Sequence, residues 1–197
     1  MIQVGFSLPV EFKEIPLEAV ATAGEGEELP NEATPVLRRV SRFLSDVGVV
    51  YAANCLHTFE GRPSLGSLAV AVVDYPYGHS ATTAARGAVQ AVLEARGRGW
   101  SGALVHAPCG PAAVFTGGQT QVLSPLFSSG GGARRAEVPT AQFHAMIPIP
   151  PPEAGGEGLH MCLVVFSTPQ VAHWEKCYAP VVAGILRSLR FSGDARP

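Results

Sequence analysis

Three groupings in this sequence place reactive or recognition side chains at spacings that bear on chemistry. The first is Asp74-Tyr75-Pro76-Tyr77-Gly78-His79, which leaves an apolar strand and enters a helix opened by Ser80. Asp74, Tyr75, Tyr77 and His79 beside a helix N-terminus form a recognition edge for a protein or an anionic group. The plainer alternative is that aromatic residues at a strand end seal the core. The second grouping is the pair Cys55-Leu56-His57 and His160-Met161-Cys162. Each sets a thiol and an imidazole two residues apart, on one face of a strand. If the two strands were neighbours in register, four ligands would meet as a tetrahedral zinc site. The spacing is that of no known zinc module, and cysteine is often simply buried, so no metal is assigned. The third is His106-Ala107-Pro108-Cys109-Gly110. A cysteine nucleophile needs a nearby base, and a glycine leaves room for substrate and a backbone oxyanion donor. Pro108 stiffens the segment, however, and no protease or transferase signature surrounds Cys109, which reads better as a small hydrophobe in a turn. Gly117-Gly118-Gln119 and Gly130-Gly131-Gly132 lack the Lys-Ser/Thr of a phosphate loop and precede no helix, so they are read as hairpin loops.

Composition bounds what such groups serve. The chain has 197 residues, 47% hydrophobic and 15% charged, against roughly 25% charged in an ordinary soluble domain. One domain spanning 1–197 is expected. With so few charges, much of its surface must be apolar or weakly polar, which favours a protein partner or a homo-oligomer. A net charge of -2 excludes the basic footprint of a nucleic-acid binder. The first residues have no basic leader region, and no run of about 18 apolar residues occurs. A cytoplasmic protein without membrane insertion is expected, its four scattered cysteines reduced.

The elements that must position these groups follow from periodicity and punctuation. After a polar connector over 23–32, Thr34-Pro35 opens a helix to about Asp46. Val49 to Glu60 and Leu65 to Tyr75 read as a hairpin turning around Gly61, Arg62 and Pro63. Leu68 to Val73 has no polar face and suggests a strand covered on both sides, so helices are expected to flank the sheet. A helix runs from Ser80 to Arg96, stopped by Gly97. Strands then follow over 103–107, 112–116, 121–126, 137–150 and 158–167, with flexible hairpin loops at 128–136 and 150–158. Ala141, Phe143, Ala145, Ile147 and Ile149 alternate with polar neighbours, which turns His144 away from that core. A last helix begins at Thr168-Pro169, with Pro180 predicting a break near Cys177 to Ala179.

The chain opens with Phe6-Ser7-Leu8-Pro9 and Ile15-Pro16-Leu17, and closes with Trp174 ahead of Ser188-Leu189-Arg190-Phe191. With this order of elements, it resembles the PsbP/Mog1-like family. The resemblance implies an α/β (α+β) fold: a central, mostly antiparallel sheet flanked by helices on both faces, an α-β-α sandwich. It also implies a role without catalysis, since members act as accessory or assembly factors, among them photosystem subunits and a regulator of a small GTPase. The resulting expectation is a binding or adaptor protein without cofactor, linked to a secretion or assembly system and using Asp74, Tyr75, Tyr77 and His79. The alternatives are a small enzyme using Cys109 and a structural homo-oligomer subunit.

Overall fold

A computed structural model of the chain describes residues 2–17, 46–123, 136–151 and 155–193. In chain order the elements are β1 (Ile2–Gly5), β2 (Phe12–Glu14), β3 (Val49–Phe59), β4 (Arg62–Gly78), α1 (Ala81–Arg96), β5 (Trp100–Ala107), β6 (Gly110–Leu123), β7 (Ala136–Pro148) and β8 (Gly158–Thr168). A 3-10 turn (Val171–His173), a π-helical turn (Trp174–Tyr178), α2 (Ala179–Ser188) and β9 (Arg190–Gly193) complete the described chain. Seven strands form one antiparallel sheet in the order β2-β3-β4-β8-β7-β6-β5, and β1 pairs with β9 in a separate ribbon.

Local chemistry explains the junctions. The β3–β4 hairpin turns on Glu60 and Gly61, both at positive φ (50° and 74°), the backbone that matches the twist of a two-residue hairpin. Ser80 caps α1 by accepting from the Thr83 N–H at 3.2 Å, and Gly97, at φ 71°, closes it by donating to the Leu93 carbonyl at 3.0 Å. The break expected near Cys177 to Ala179 does not occur: Tyr178 and Ala179 both keep right-handed helical backbone, and the helix changes there from π to α, with Pro180, which has no N–H, in the first turn of α2.

Alternation divides the sheet into two packed faces. Leu68, Val70, Ala145, Ile147, Val164 and Phe166 lie under Tyr178, Val182, Ile185 and Leu189 in the main core. On the opposite face, Ala85 and Ala88 of α1 pack on Ala113 and Phe115, with Trp100, Leu104 and Met146 around them. Small side chains let α1 lie close to β5, β6 and β7. The β1–β9 ribbon joins the ends of the chain: Val4 stands opposite Phe191, and the Ser7 N–H donates to Ser188 Oγ at 3.0 Å. The opening and closing motifs therefore meet in space as a clasp.

The expected α/β fold, an α-β-α sandwich with layers of helices on both faces, does not form: one large antiparallel sheet dominates, and only α1 and α2 pack on it among the described residues. The fold is mainly β, with nine strands and two α-helices among the described residues. Strands continue through residues that read as loops: β4 runs through Pro76-Tyr77-Gly78, and β6 through Gly117-Gly118-Gln119. The connector over 23–32 and residues 128–135 of the loop expected over 128–136 lie outside the described residues, as do all but Asp46 of the expected helix and 124–126 of the strand expected over 121–126.

Candidate functional site

The segment Asp74 to His79 is not a loop but the end of β4 and its exit into α1. Register with β8 holds to Asp74 opposite His160, then shifts across a bulge to Gly78 opposite Gly158. The Asp74 carboxylate lies 3.1 Å from His160 Nδ1, with the Asp74 side chain 94% exposed. Tyr75 is 40% and Leu159 54% exposed. Both adjoin the Asp74–His160 contact in sequence, at the end of β4 and the start of β8. His79 is exposed beside the Ser80 cap. Tyr77 has a different part. Its ring occupies the space where Gly158 lacks a side chain, and its hydroxyl donates to the Ile149 carbonyl at 2.5 Å. Burial pushes its phenol pKa up. The structure thus leaves Asp74, Tyr75 and His79 at the surface and employs Tyr77 as a clamp between β4 and the β7–β8 connection. Leu159, which joins the exposed group, carries no sequence signal beyond its place in an alternating strand.

This division has a measurable outcome. Tyr77→Ala is expected to cost about 3 kcal/mol by emptying the space over Gly158 and orphaning the Ile149 carbonyl. Tyr75→Ala is expected to stay within about 0.5 kcal/mol of the parent. Denaturant unfolding of the two variants checks this, and equal losses would refute the assignment.

The paired Cys/His motifs do not come together. β4 lies between β3 and β8, and Cys55 stands opposite Gly66 whereas Cys162 stands opposite Val72. From 66 to 72 along β4 is a distance of ~20 Å. No group of three or more His, Cys, Asp or Glu side chains among the described residues is placed to hold a metal. Cys109 sits in the β5–β6 turn and packs against the main core, whereas His106 shares its face of β5 with Leu104 and Trp100, which pack under α1. The sheet separates the thiol from that imidazole. Burial pushes the Cys109 pKa up, against smaller opposing effects from a backbone hydrogen bond and Arg190. The thiol therefore favours its neutral, unreactive form.

Comparison with protein-family models and with curated proteins found no match.

A buried polar cluster joins residues that no local pattern links. Ser64 Oγ, fully buried on β4, lies 2.9 Å from His173 Nδ1 and 2.6 Å from the Tyr178 hydroxyl. Phe59 packs on the His173 ring at 4.8 Å, and Lys176 reaches Glu60 at 3.8 Å. A serine beside a histidine suggests a nucleophile and its base. With Ser64 sealed from solvent, the cluster instead ties the β3–β4 hairpin to the π-helical turn. Nearby, a cleft of about 750 Å³ runs between β6 and that turn, with Ser101, Thr116, Gln119, Trp174, Glu175 and Lys176 in its walls. It presents no pairing of nucleophile and base.

Proposed function

We propose that this chain is a non-enzymatic binding domain that acts through protein contacts at the exposed end of β4 and β8. The observation that carries the reading is the exposure of Tyr75 and Leu159, together with that of Asp74, at the end of β4 and β8 where Asp74 contacts His160. Large apolar side chains flanked by charge are what a protein contact uses: an aromatic anchor to desolvate, within a polar rim that orients the partner. His79 extends that rim at the α1 end. Tyr77 supports the surface from behind rather than contributing to it. The separation of Cys109 from His106 and the burial of Ser64 argue in the same direction, since neither hydroxyl nor thiol has both a base and access.

In this reading the domain is a cytoplasmic accessory factor for an assembly or export system, the role implied by its opening and closing motifs. No helix among the described residues is long and apolar enough to cross a membrane. The test is affinity purification of the tagged chain from its native host, followed by mass spectrometry, alongside Tyr75→Ala/Leu159→Ser with Tyr77 left intact. A stoichiometric partner that the variant loses, and that recovers the chain when it is itself tagged, is the expected result. A variant that retains every partner of the parent would refute the surface.

A further inference from the structure

The two edges of the seven-stranded sheet are built differently. At one edge, β2 is three residues long, carries Lys13 and Glu14, and lies between Pro9 and Pro16. Short, charged and proline-flanked edges are how soluble proteins prevent another chain from adding a strand. At the other edge, β5 presents Trp100-Ser101-Gly102-Ala103-Leu104-Val105-His106-Ala107, with no carboxylate, lysine, arginine or proline. Its register with β6 is unbroken from Trp100 opposite Gly117 to Ala107 opposite Gly110, so no bulge twists the edge away. Ser101, Ala103 and His106 are exposed, and among the described residues β6 is its only strand partner. An edge of this length, straight and without charge, is a template for strand addition.

We infer that the strand added there is β5 of a second copy, running antiparallel about a two-fold axis so that one sheet continues through both subunits. Edge-to-edge antiparallel pairing about a two-fold is self-complementary, so one surface serves both partners. Residues directly opposite must share a sheet face, which restricts the register. Centred on Leu104, the pairing sets Gly102 against His106 and Ala103 against Val105, small against large on both faces. Centred on Ala103, it sets Gly102 against Leu104, Ser101 against Val105 and Trp100 against His106. In neither register do like charges from β5 meet, which is the main force that keeps identical edges apart. The low charge of the whole chain acts in the same sense.

This surface is separate from the exposed end of β4 and β8, so the two proposals stand or fall independently. The test is analytical ultracentrifugation of the full chain across a concentration series, with Ala103→Lys, Ala103→Asp and an equimolar mixture of the two. The parent is expected to sediment as a dimer. Each single variant is expected to dimerise at least about tenfold more weakly, because it brings like charges together across the axis, and the mixture is expected to recover association. Ala103 is exposed, so both variants are expected to keep the parent's circular dichroism. If either fails to fold, Ser101→Lys with Ser101→Asp repeats the design at another exposed position. A parent that remains monomeric at all concentrations overturns the inference, whether or not it captures a strand from another protein. A dimer indifferent to all four substitutions overturns it equally.

Discussion

Gly66→Ala is expected to destabilise the fold by about 2–3 kcal/mol, although it adds a single methyl group. For a chain of 197 residues this lowers the melting temperature by roughly 5–10 °C. A Cβ at Gly66 would lie 2.8 Å from Cε2 of Phe166 and 3.2 Å from Cε1 of Tyr178, with the tip of the Phe166 ring closer still. The ring has no direction in which to retreat. Phe166 is fully buried, with Tyr178, Trp174 and Phe12 at centroid distances of 5.0, 6.3 and 6.4 Å. Tyr178 is itself held by Ser64. The added atom must therefore be accommodated by moving α2 or bending β4. Gly87→Ala is the control of opposite sign. Gly87 is exposed within α1, and a Cβ there meets nothing within 4 Å. Relieving the entropic cost of a helical glycine is expected to stabilise the protein by about 0.5–1 kcal/mol. Thermal melts of the two variants beside the parent decide the matter, and a Gly66→Ala protein melting with the parent would overturn this account of the core.

The contrast between those glycines also shows what the sequence could and could not convey. Helix α1 was legible from its ends, because Ser80 and Gly97 act locally through backbone groups three or four residues away. Strand lengths were not. Gly117-Gly118 reads as a turn, yet a Cβ at Gly117 would collide with the Trp100 ring, so glycine there serves the close approach of an aromatic side chain from the neighbouring strand. Pro76 and Gly78 likewise read as the end of a strand, whereas the bulge between Asp74 and Gly78 absorbs both. The expectation of a helix-layered sandwich rested on the apolar run Leu68 to Val73 and on the family resemblance, neither of which registers how far the strands extend. Alternation correctly set His144 opposite Phe143, but it could not show that α1 covers that second face.

For the candidate site, exposure of Asp74, Tyr75 and His79 could be anticipated from their place after an apolar run. The use of Tyr77 could not, because it depends on Gly158, brought across by the pairing of β4 with β8. Ser64 is linked to His173 and Tyr178 across separations of 109 and 114 residues, so no short-range pattern announces the cluster. The clasp of β1 with β9 is of the same kind, since motifs at the two chain ends acquire their meaning only on pairing.

Acidification is expected to destabilise the protein by about 2 kcal/mol between pH 6.5 and about 4 through His144 alone. The side chain is half-buried on β7, edge-on to Trp100 at 5.0 Å, and the Arg96 guanidinium lies over the same indole at 4.9 Å. Burial first, and then the charge of Arg96, push the imidazole pKa down from 6.5 to about 4. The folded protein therefore holds His144 neutral where the unfolded chain would already bind a proton. Above pH 6.5 neither state is protonated there, and the contribution is fully present. As the pH falls below 6.5 the unfolded state takes up the proton and gains stability, until near pH 4 the folded state does so as well and the loss levels off. Each unit of displacement is worth about 1.4 kcal/mol, and partial exposure of the ring reduces the whole to about 2 kcal/mol. Carboxylates titrate toward the lower end of the same range, so the decisive quantity is a difference between proteins rather than one slope. Denaturant unfolding at about pH 7 and about pH 4.5 is expected to show the parent losing about 2 kcal/mol more than His144→Gln, which places no titrating group beneath α1. Arg96→Gln is expected to fall between them, since it removes the lesser cause and leaves the burial. Indistinguishable losses in the parent and His144→Gln would mean that the imidazole is hydrated in the folded state, and that α1 does not seal this face of the sheet.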